Sequence, residues 1–156
     1  MRIRKLVILF TCLFFLGCSD NDPVYHDTQD QSIQLSKLKD KWVIVNYWAS
    51  WCHSCMQEIK ELNNFNKHLQ NNIILLGVNY DHLSLDELQK AITKAKITFP
   101  ILTENPSETW HFSAISAVPT TFILDPTGHV VKTITGPTTE KKLVDTLQTL
   151  QKEQHV

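Results

Sequence analysis

The chain has 156 residues, of which 42% are apolar and 20% are charged, and its formal net charge at pH 7 is −1. This length and this apolar content suffice for one domain with a buried core. No stripe of Lys and Arg is interleaved with aromatic residues, so the composition argues against a nucleic-acid-binding protein.

The start of the chain has the pattern of an export signal. Three basic residues within the first five precede an apolar run over residues 6–16. Eleven residues are too few to span a bilayer as a permanent helix, and this pattern is typical of a removable signal peptide. Gly17 and Cys18 follow, and they resemble the bacterial lipoprotein signal, in which the Cys becomes the acylated N-terminus. We expect residues 1–17 to be removed and Cys18 to carry a lipid anchor. The alternative is ordinary cleavage that leaves Cys18 as a free thiol.

The next segment, residues 18–31, is polar and acidic and contains few large apolar side chains. Such a composition is typical of a flexible tether, here with one extended pairing segment around Val24 and Tyr25. The folded domain is predicted over residues 32–154. Without the signal, the chain has 12 Lys and Arg against 16 Asp and Glu, a net charge of −4. The predicted location is a bacterial membrane surface that faces the periplasm or the cell exterior.

Hydrophobic patterning predicts the first half of the domain. Residues 42–48 form an almost unbroken apolar run that is typical of a strand covered on both faces. Apolar residues then recur at helical spacing, and a second buried strand begins at Ile73. Ser84 and Glu87 form a capping box that opens another helix. Its predicted apolar side consists of Leu85, Leu88, Ile92 and Ala95.

Two further strands and a helix are predicted in the second half. The run from Thr120 and the run from His129 are joined by the short turn 125–128, which makes them an antiparallel hairpin. A last helix is predicted with Thr138 or Thr139 as its N-cap. The order strand, helix, strand, helix, hairpin, helix predicts an α/β protein with a mixed central sheet flanked by helices. This arrangement matches the thioredoxin fold.

Two of the four cysteines remain available for chemistry in the predicted domain. Cys12 lies in the signal and Cys18 is predicted to be lipidated, which leaves Cys52 and Cys55. An exported compartment permits disulfides. A bridge over so short a loop stabilises a fold far less than a long-range bridge does. The pair is therefore predicted to serve redox chemistry.

Cys52 is predicted to be the nucleophile because it lies at the start of a helix. Free N–H groups and the helix dipole stabilise an anion there, and they lower the pKa of a thiol. Cys55 lies one turn along and is placed to displace a captured partner. The predicted reaction is thiol–disulfide exchange in two displacements, with no cofactor.

Three segments of the chain resemble the TlpA/ResA-type exported thioredoxin-like proteins, a group that includes cytochrome c maturation reductases. The segments are VIVNYWASWCHSC, VPTTFILDPTGHVV and ITGPTTEKKL. The similarity covers residues 35–150. It implies substrates with protein thiols or disulfides, apocytochrome c among them, and a membrane electron donor. We expect a monomer.

The resemblance also implies how a second segment contributes to the site. In this family the proline of the V-P-T segment follows a cis peptide bond and lies against the two sulfurs. Val118, Pro119 and Thr120 match that segment, so they are expected to face Cys52. A cis peptide is costly except before proline.

The proton-transfer group departs from the pattern of related proteins. Asn46 stands six residues before Cys52, where cytoplasmic thioredoxins carry a buried Asp, and an amide cannot titrate. TlpA/ResA relatives use a Glu shortly after the next strand, and this chain has Asp81 and His82 there. Either residue is expected to assist deprotonation of Cys55, the alternative being that both are solvated loop residues.

The residues around the cysteines bear on the direction of electron flow. A protonated His53 would stabilise the thiolate of Cys52 and make the disulfide more oxidising, the alternative being a side chain that points into water. Ser54 stands where relatives with reducing roles often have Pro. Together these residues predict a reduction potential above that of thioredoxin, and they leave the physiological direction of electron flow open. Trp51 is expected to cover the sulfurs and to offer substrate an apolar contact.

Two other kinds of protein compete with this interpretation. Cys52, His53 and Cys55 are soft ligands that suit Cu(I), so a copper carrier is the main alternative. Copper carriers of this fold have a wider Cys spacing, and the sequence has no second ligand pair for a closed zinc site. A lipoprotein with a static disulfide is the other alternative. We expect no bound metal.

Overall fold

A computed structural model describes residues 22–154 of the chain. The predicted signal peptide and Cys18 lie outside the described residues. In the described range no helix has both the length and the apolar character required to cross a membrane.

Seven strands and three α-helices follow one another along the described chain. The strands are β1 (Tyr25–His26), β2 (Ser32–Ile33), β3 (Trp42–Trp48), β4 (Ile73–Asn79), β5 (Ile101–Leu102), β6 (Thr120–Leu124) and β7 (Val130–Thr135). The helices are α1 (His53–Lys67), α2 (Leu85–Ala95) and α3 (Glu140–Glu153), with a 3₁₀ turn over Leu35–Leu38.

The central sheet has the strand order β5-β4-β3-β6-β7. Strand β3 pairs in parallel with β4 along its whole length and antiparallel with β6, and β6 pairs antiparallel with β7. All seven residues of β3 are buried, as expected for a strand that has neighbours on both sides and cover on both faces. The predicted mixed sheet and the predicted hairpin are confirmed.

Alternation along β3 divides the core into two clusters because successive side chains of a strand point to opposite faces. Trp42, Ile44 and Trp48 point to the face where all three α-helices contribute apolar side chains. Val43 and Tyr47 point to the other face, which the N-terminal segment and the loop before β6 cover. Asn46 lies on the same face of β3 as Ile44 and Trp48, so its side chain points towards the helices.

Residues before the predicted boundary at residue 32 contact the rest of the domain. Tyr25 is 7% exposed and its ring contacts Trp110 edge to face, with ring centroids 5.6 Å apart. Strand β1 pairs with β2, and the backbone N–H of Thr28 donates to the carbonyl of Ile101 at 3.0 Å. The described part of the predicted tether is therefore packed and hydrogen-bonded against the domain. Composition favoured a tether because the segment is mostly polar and its contacts with the domain are made by Tyr25, by backbone groups and by the buried Asp27.

The cover of the second sheet face includes a stretch for which no element was predicted. Between β5 and β6 the chain carries Trp110, which is 1% exposed, and Phe112, which stacks on Phe122 with centroids 4.4 Å apart. Tyr47 contacts both phenylalanine rings edge to face. An irregular segment thus supplies part of the core and leads directly into the cis-proline segment.

Candidate active site

The two cysteines lie where β3 ends and α1 begins. Cys52 is the N-cap of α1 and forms a disulfide with Cys55. The Cα atoms of the two cysteines are 5.2 Å apart. The backbone N–H of Cys55 donates to the Sγ of Cys52 at 3.1 Å. A first-turn N–H group has no partner within its own helix, so a sulfur at the N-cap satisfies one of these donors. The same N–H group stabilises a thiolate at Cys52 when the disulfide is reduced.

Two further groups contact the sulfur of Cys52. The hydroxyl oxygen of Ser54 lies 3.4 Å from this sulfur, and the carbonyl oxygen of Val118 lies 3.5 Å from it. A disulfide sulfur carries no hydrogen, so here it can only accept a hydrogen bond, and Ser54 is the donor. In the reduced protein a Cys52 thiol can donate to the Val118 carbonyl.

The V-P-T segment has the predicted backbone conformation. The Val118–Pro119 peptide is cis, and its first residue contacts Cys52 through the carbonyl. Thr120 begins β6 opposite Tyr47, and its hydroxyl donates to the carbonyl of Ala117 at 2.7 Å. The structure therefore brings Val118 to the sulfur, whereas the hydroxyl of Thr120 holds the turn that precedes it.

Exposure differs sharply among the residues of the motif. Cys52 is 5% exposed and Cys55 is fully buried. Trp51 is 70% exposed, so it presents most of its ring to solvent. His53 is exposed, and its Nε2 lies 3.2 Å from the amide nitrogen of Gln57. Of the two cysteines, Cys52 keeps a small exposed fraction and Cys55 keeps none. The role of Cys52 as the nucleophile stays a prediction.

A buried acid that the sequence analysis missed lies one helical turn after Cys55. Glu58 is 2% exposed, and one of its carboxylate oxygens accepts the amide of Asn46 at 3.2 Å. The other oxygen accepts the backbone N–H of Thr138 at 2.9 Å. Asn46 also donates to the hydroxyl of Thr121, its cross-strand partner, at 2.9 Å. The acid is thus held by neutral donors from β3 and from the residue just before the N-cap of α3.

Burial raises the pKa of Glu58 to about 7, although the hydrogen bonds from Thr138 and Asn46 act in the opposite direction. A carboxyl group with such a pKa can take up or release a proton near neutral pH. The signal for it was present in the sequence. Glu58 lies three residues after Cys55 and four before Leu62, on the helix face that is otherwise apolar.

Asp81 has a different surrounding. Its carboxylate accepts the backbone N–H of Ser50 at 2.7 Å, in the loop that leads to the cysteines. Partial burial by itself would raise the pKa of Asp81, but hydrogen bonds from Ser50, Asn79 and Trp51 outweigh it and lower the pKa. His82 follows with a positive φ of 53°. Among the described residues, neither side chain has a hydrogen bond to a sulfur.

A metal site requires several ligand side chains close together. Over residues 22–154, no group of three or more His, Cys, Asp or Glu side chains converges in a way that could hold a metal ion.

Comparisons with known proteins agree with this geometry. Residues 19–133 match the AhpC/TSA family. The thiol–disulfide oxidoreductase ResA of Bacillus subtilis is 31% identical over 125 residues, which cover 78% of this chain and 68% of ResA.

Solved structures show the same fold. The crystal structure of StoA from Bacillus subtilis superposes with a TM-score of 0.67 at 27% identity, over 78% of this chain and 92% of StoA. The exposed lipoprotein thioredoxin Etrx1 of Streptococcus pneumoniae gives a TM-score of 0.72 at 21% identity, over 81% of this chain and 98% of Etrx1. With its redox pair at the start of α1 and its cis-proline segment, the chain belongs to the AhpC/TSA family and is a thiol–disulfide oxidoreductase of the ResA type.

Proposed function

We propose that the chain is a lipid-anchored, extracytoplasmic oxidoreductase that reduces disulfides in exported proteins, apocytochrome c among them. One observation carries the chemistry: the sulfur of Cys52, a residue that is 5% exposed, accepts a helix N-terminal N–H at 3.1 Å, while Cys55 is fully buried. The predicted signal and Cys18 support the location. The resemblance to cytochrome c maturation reductases supports the substrate.

The reaction consists of two displacements. The Cys52 thiolate attacks one sulfur of a substrate disulfide, which forms a Cys52–substrate bond and releases the other substrate sulfur as a thiolate. The Cys55 thiolate then attacks Cys52, which closes the intramolecular disulfide and releases the second substrate thiolate. Two electrons pass from the protein dithiol to the substrate. A membrane electron donor restores the dithiol.

Glu58 is our candidate for the proton acceptor of the second displacement. Cys55 must lose its proton to attack, yet it is fully buried and has no access to solvent. Glu58 lies one turn along the same helix, and its pKa of about 7 lets the carboxylate accept that proton at neutral pH. Asp81 and His82 remain the candidates from the sequence. The lowered pKa of Asp81 makes it the weaker base of the two carboxylates.

Trapping in cells tests the substrates. The Cys55→Ser variant should accumulate mixed disulfides with its substrates, because no thiol remains to resolve them. The Cys52→Ser variant is the matched control and should trap none. Apocytochrome c among the trapped partners would support the proposed substrate, and its absence while other exported proteins are trapped would contradict it.

Labelling with a radioactive fatty acid tests the anchor. The wild-type chain should incorporate label and sediment with membranes, whereas the Cys18→Ala variant should do neither. Equal labelling of both proteins would contradict an anchor at Cys18.

A further inference from the structure

A groove opens beside the accessible sulfur on the side of α2. It has a volume of about 490 Å³, and Cys52 forms part of its wall. This volume lies within the range of pockets that hold small ligands, roughly 300–1,000 Å³, so it has room for several side chains of an extended peptide. A substrate cysteine that is joined to Cys52 would place its flanking residues at the mouth of this groove.

The walls of the groove are mainly apolar and adaptable. Trp51 and Met56 line one side, and Ala91 and Ala95 line the other, where the small side chains of α2 leave space. Methionine is flexible and polarisable, and it accommodates varied apolar partners. Such walls accommodate an unfolded peptide better than a rigid ligand of one shape. An unfolded substrate can also bring its disulfide to the recessed sulfur of Cys52.

Charge gives the groove a preference. Lys94, on the last turn of α2, lines the groove, and so does His53, the first residue of α1. Within the described part of the chain, no Asp or Glu lines the groove. Lys94 is exposed, and the ion pairs formed among residues 22–154 do not include it. An exposed cation without a partner beside an apolar groove is complementary to a carboxylate on the bound peptide.

We propose that this groove receives the substrate polypeptide on one side of its cysteine and, through Lys94, selects sequences with an acidic residue there. The inference rests on the proposed disulfide exchange at Cys52 and adds a sequence preference to it. Lys94 contacts the substrate in this proposal and takes no part in the displacement itself.

Chromogenic peptides test this preference. Each peptide carries one cysteine as a mixed disulfide with thionitrobenzoate, and the residues three positions away on both sides are Glu, Gln or Lys. The Cys52 thiolate of the reduced protein attacks the peptide sulfur and releases coloured thionitrobenzoate. The rate of release therefore reports the step in which the peptide occupies the groove, and the measured quantity is the Glu-to-Lys ratio of rates.

The wild-type protein should favour the Glu peptide over the Lys peptide by about fivefold, as expected for one exposed charge that attracts the first and repels the second. The Lys94→Glu variant should lower this ratio by at least about threefold. The Lys132→Glu variant is the matched control: it makes the same change of charge on edge strand β7 and should leave the ratio unchanged. High salt should bring all ratios towards one.

A ratio that falls by less than about threefold in Lys94→Glu overturns the proposal, as does an equal fall in Lys132→Glu. Any effect of Lys94 on the acidity of Cys52 changes the rates of release from all three peptides by the same factor. Such an effect therefore cancels in the Glu-to-Lys ratio. The small symmetrical disulfide of the same chromophore separates the two levels of inference. If the variants react with this small disulfide and the peptide rates show no dependence on charge, the proposed role of the groove is wrong, but the proposed disulfide exchange at Cys52 is not contradicted.

Discussion

Asn46 and Glu58 meet across the contact between β3 and α1, with the amide nitrogen of one 3.2 Å from the carboxylate of the other. Both residues are buried, at 0% and 2% exposure. An amide on the central strand thus supports an acid on the helix, one turn after the buried cysteine. The amide of Asn46 on β3 cannot titrate, so the titratable group of this buried pair is the carboxyl group of Glu58 on α1.

Replacing Glu58 by Gln should change how stability depends on pH. The pKa of Glu58 is about 7 in the folded protein, above the value of about 4.3 of an unperturbed Glu. A raised folded pKa means that its stabilisation is complete below the unfolded pKa and is lost as the pH rises towards the folded pKa. Between pH 4.5 and pH 8, Glu58 should therefore contribute a loss of about 3 kcal/mol to the free energy of urea unfolding of the oxidised wild type.

The Glu58→Gln variant should lack most of this loss and should be the more stable protein at pH 8. The exposed Glu108→Gln variant is the control and should follow the wild type. Parallel pH curves for wild type and Glu58→Gln would show that the carboxyl group of Glu58 is not the source of the pH dependence of stability.

In the reduced protein, Glu58→Gln should also slow the release of substrate from the mixed disulfide by about tenfold or more.

Replacing Ser54 by Ala should make Cys52 less acidic. The hydroxyl of Ser54 lies 3.4 Å from the sulfur and can donate to the thiolate, so its loss removes about 0.5–1.5 kcal/mol of stabilisation. The pKa of Cys52 should rise by about 0.4–1 unit, measured as the pH dependence of alkylation. Ser54→Thr keeps a hydroxyl and should stay close to the wild type. An unchanged pKa in Ser54→Ala would exclude this hydrogen bond in the reduced protein.

Replacing Asp81 by Asn should loosen the loop before the cysteines. The charged carboxylate accepts the N–H of Ser50 at 2.7 Å, and weakening this bond should cost about 1–2 kcal/mol at pH 7. Because the pKa of Asp81 is lowered in the folded protein, its contribution is present above the unfolded pKa and is lost as the pH falls below about 4. Unfolding curves should therefore differ at pH 7, and the difference should be smaller at pH 3. A constant difference at both pH values would refute the role of the charge.

Replacing Tyr25 by Ala tests whether the N-terminal segment is part of the domain. The ring is 7% exposed and contacts Trp110, so its removal should cost about 3 kcal/mol in the free energy of unfolding. The neighbouring Val24 is 48% exposed, and Val24→Ala should change stability by no more than about 0.5 kcal/mol. Equal small effects of both substitutions would support the tether predicted from composition.

The central elements could be predicted from sequence because their signals are local and strong. The apolar run of β3 and the turn of the β6–β7 hairpin were confirmed. The capping box of Ser84 and Glu87 and the N-cap at Thr139 were confirmed too. In each case a few adjacent residues determine the structure.

The missed features depend on contacts between distant parts of the chain. Leu85 fits the apolar side of α2 by spacing, yet it is 51% exposed because it starts the helix. Strand β5 has two residues and exists through its pairing with β4. Glu58 is buried because Asn46 and Thr138, 12 and 80 residues away, supply its donors. Helical spacing places Glu58 on the apolar face of α1, but no local pattern encodes the donors that contact it there.

Stoichiometric capture by single-cysteine variants tests the central claim most directly. Each reduced variant is mixed with a peptide disulfide, and mass spectrometry identifies the sulfur that carries the peptide. The Cys55→Ser variant should form a stable adduct at Cys52, and the Cys52→Ser variant should form none, since Cys55 is fully buried. Equal or faster capture at Cys55 would contradict the assignment of Cys52 as the attacking thiolate.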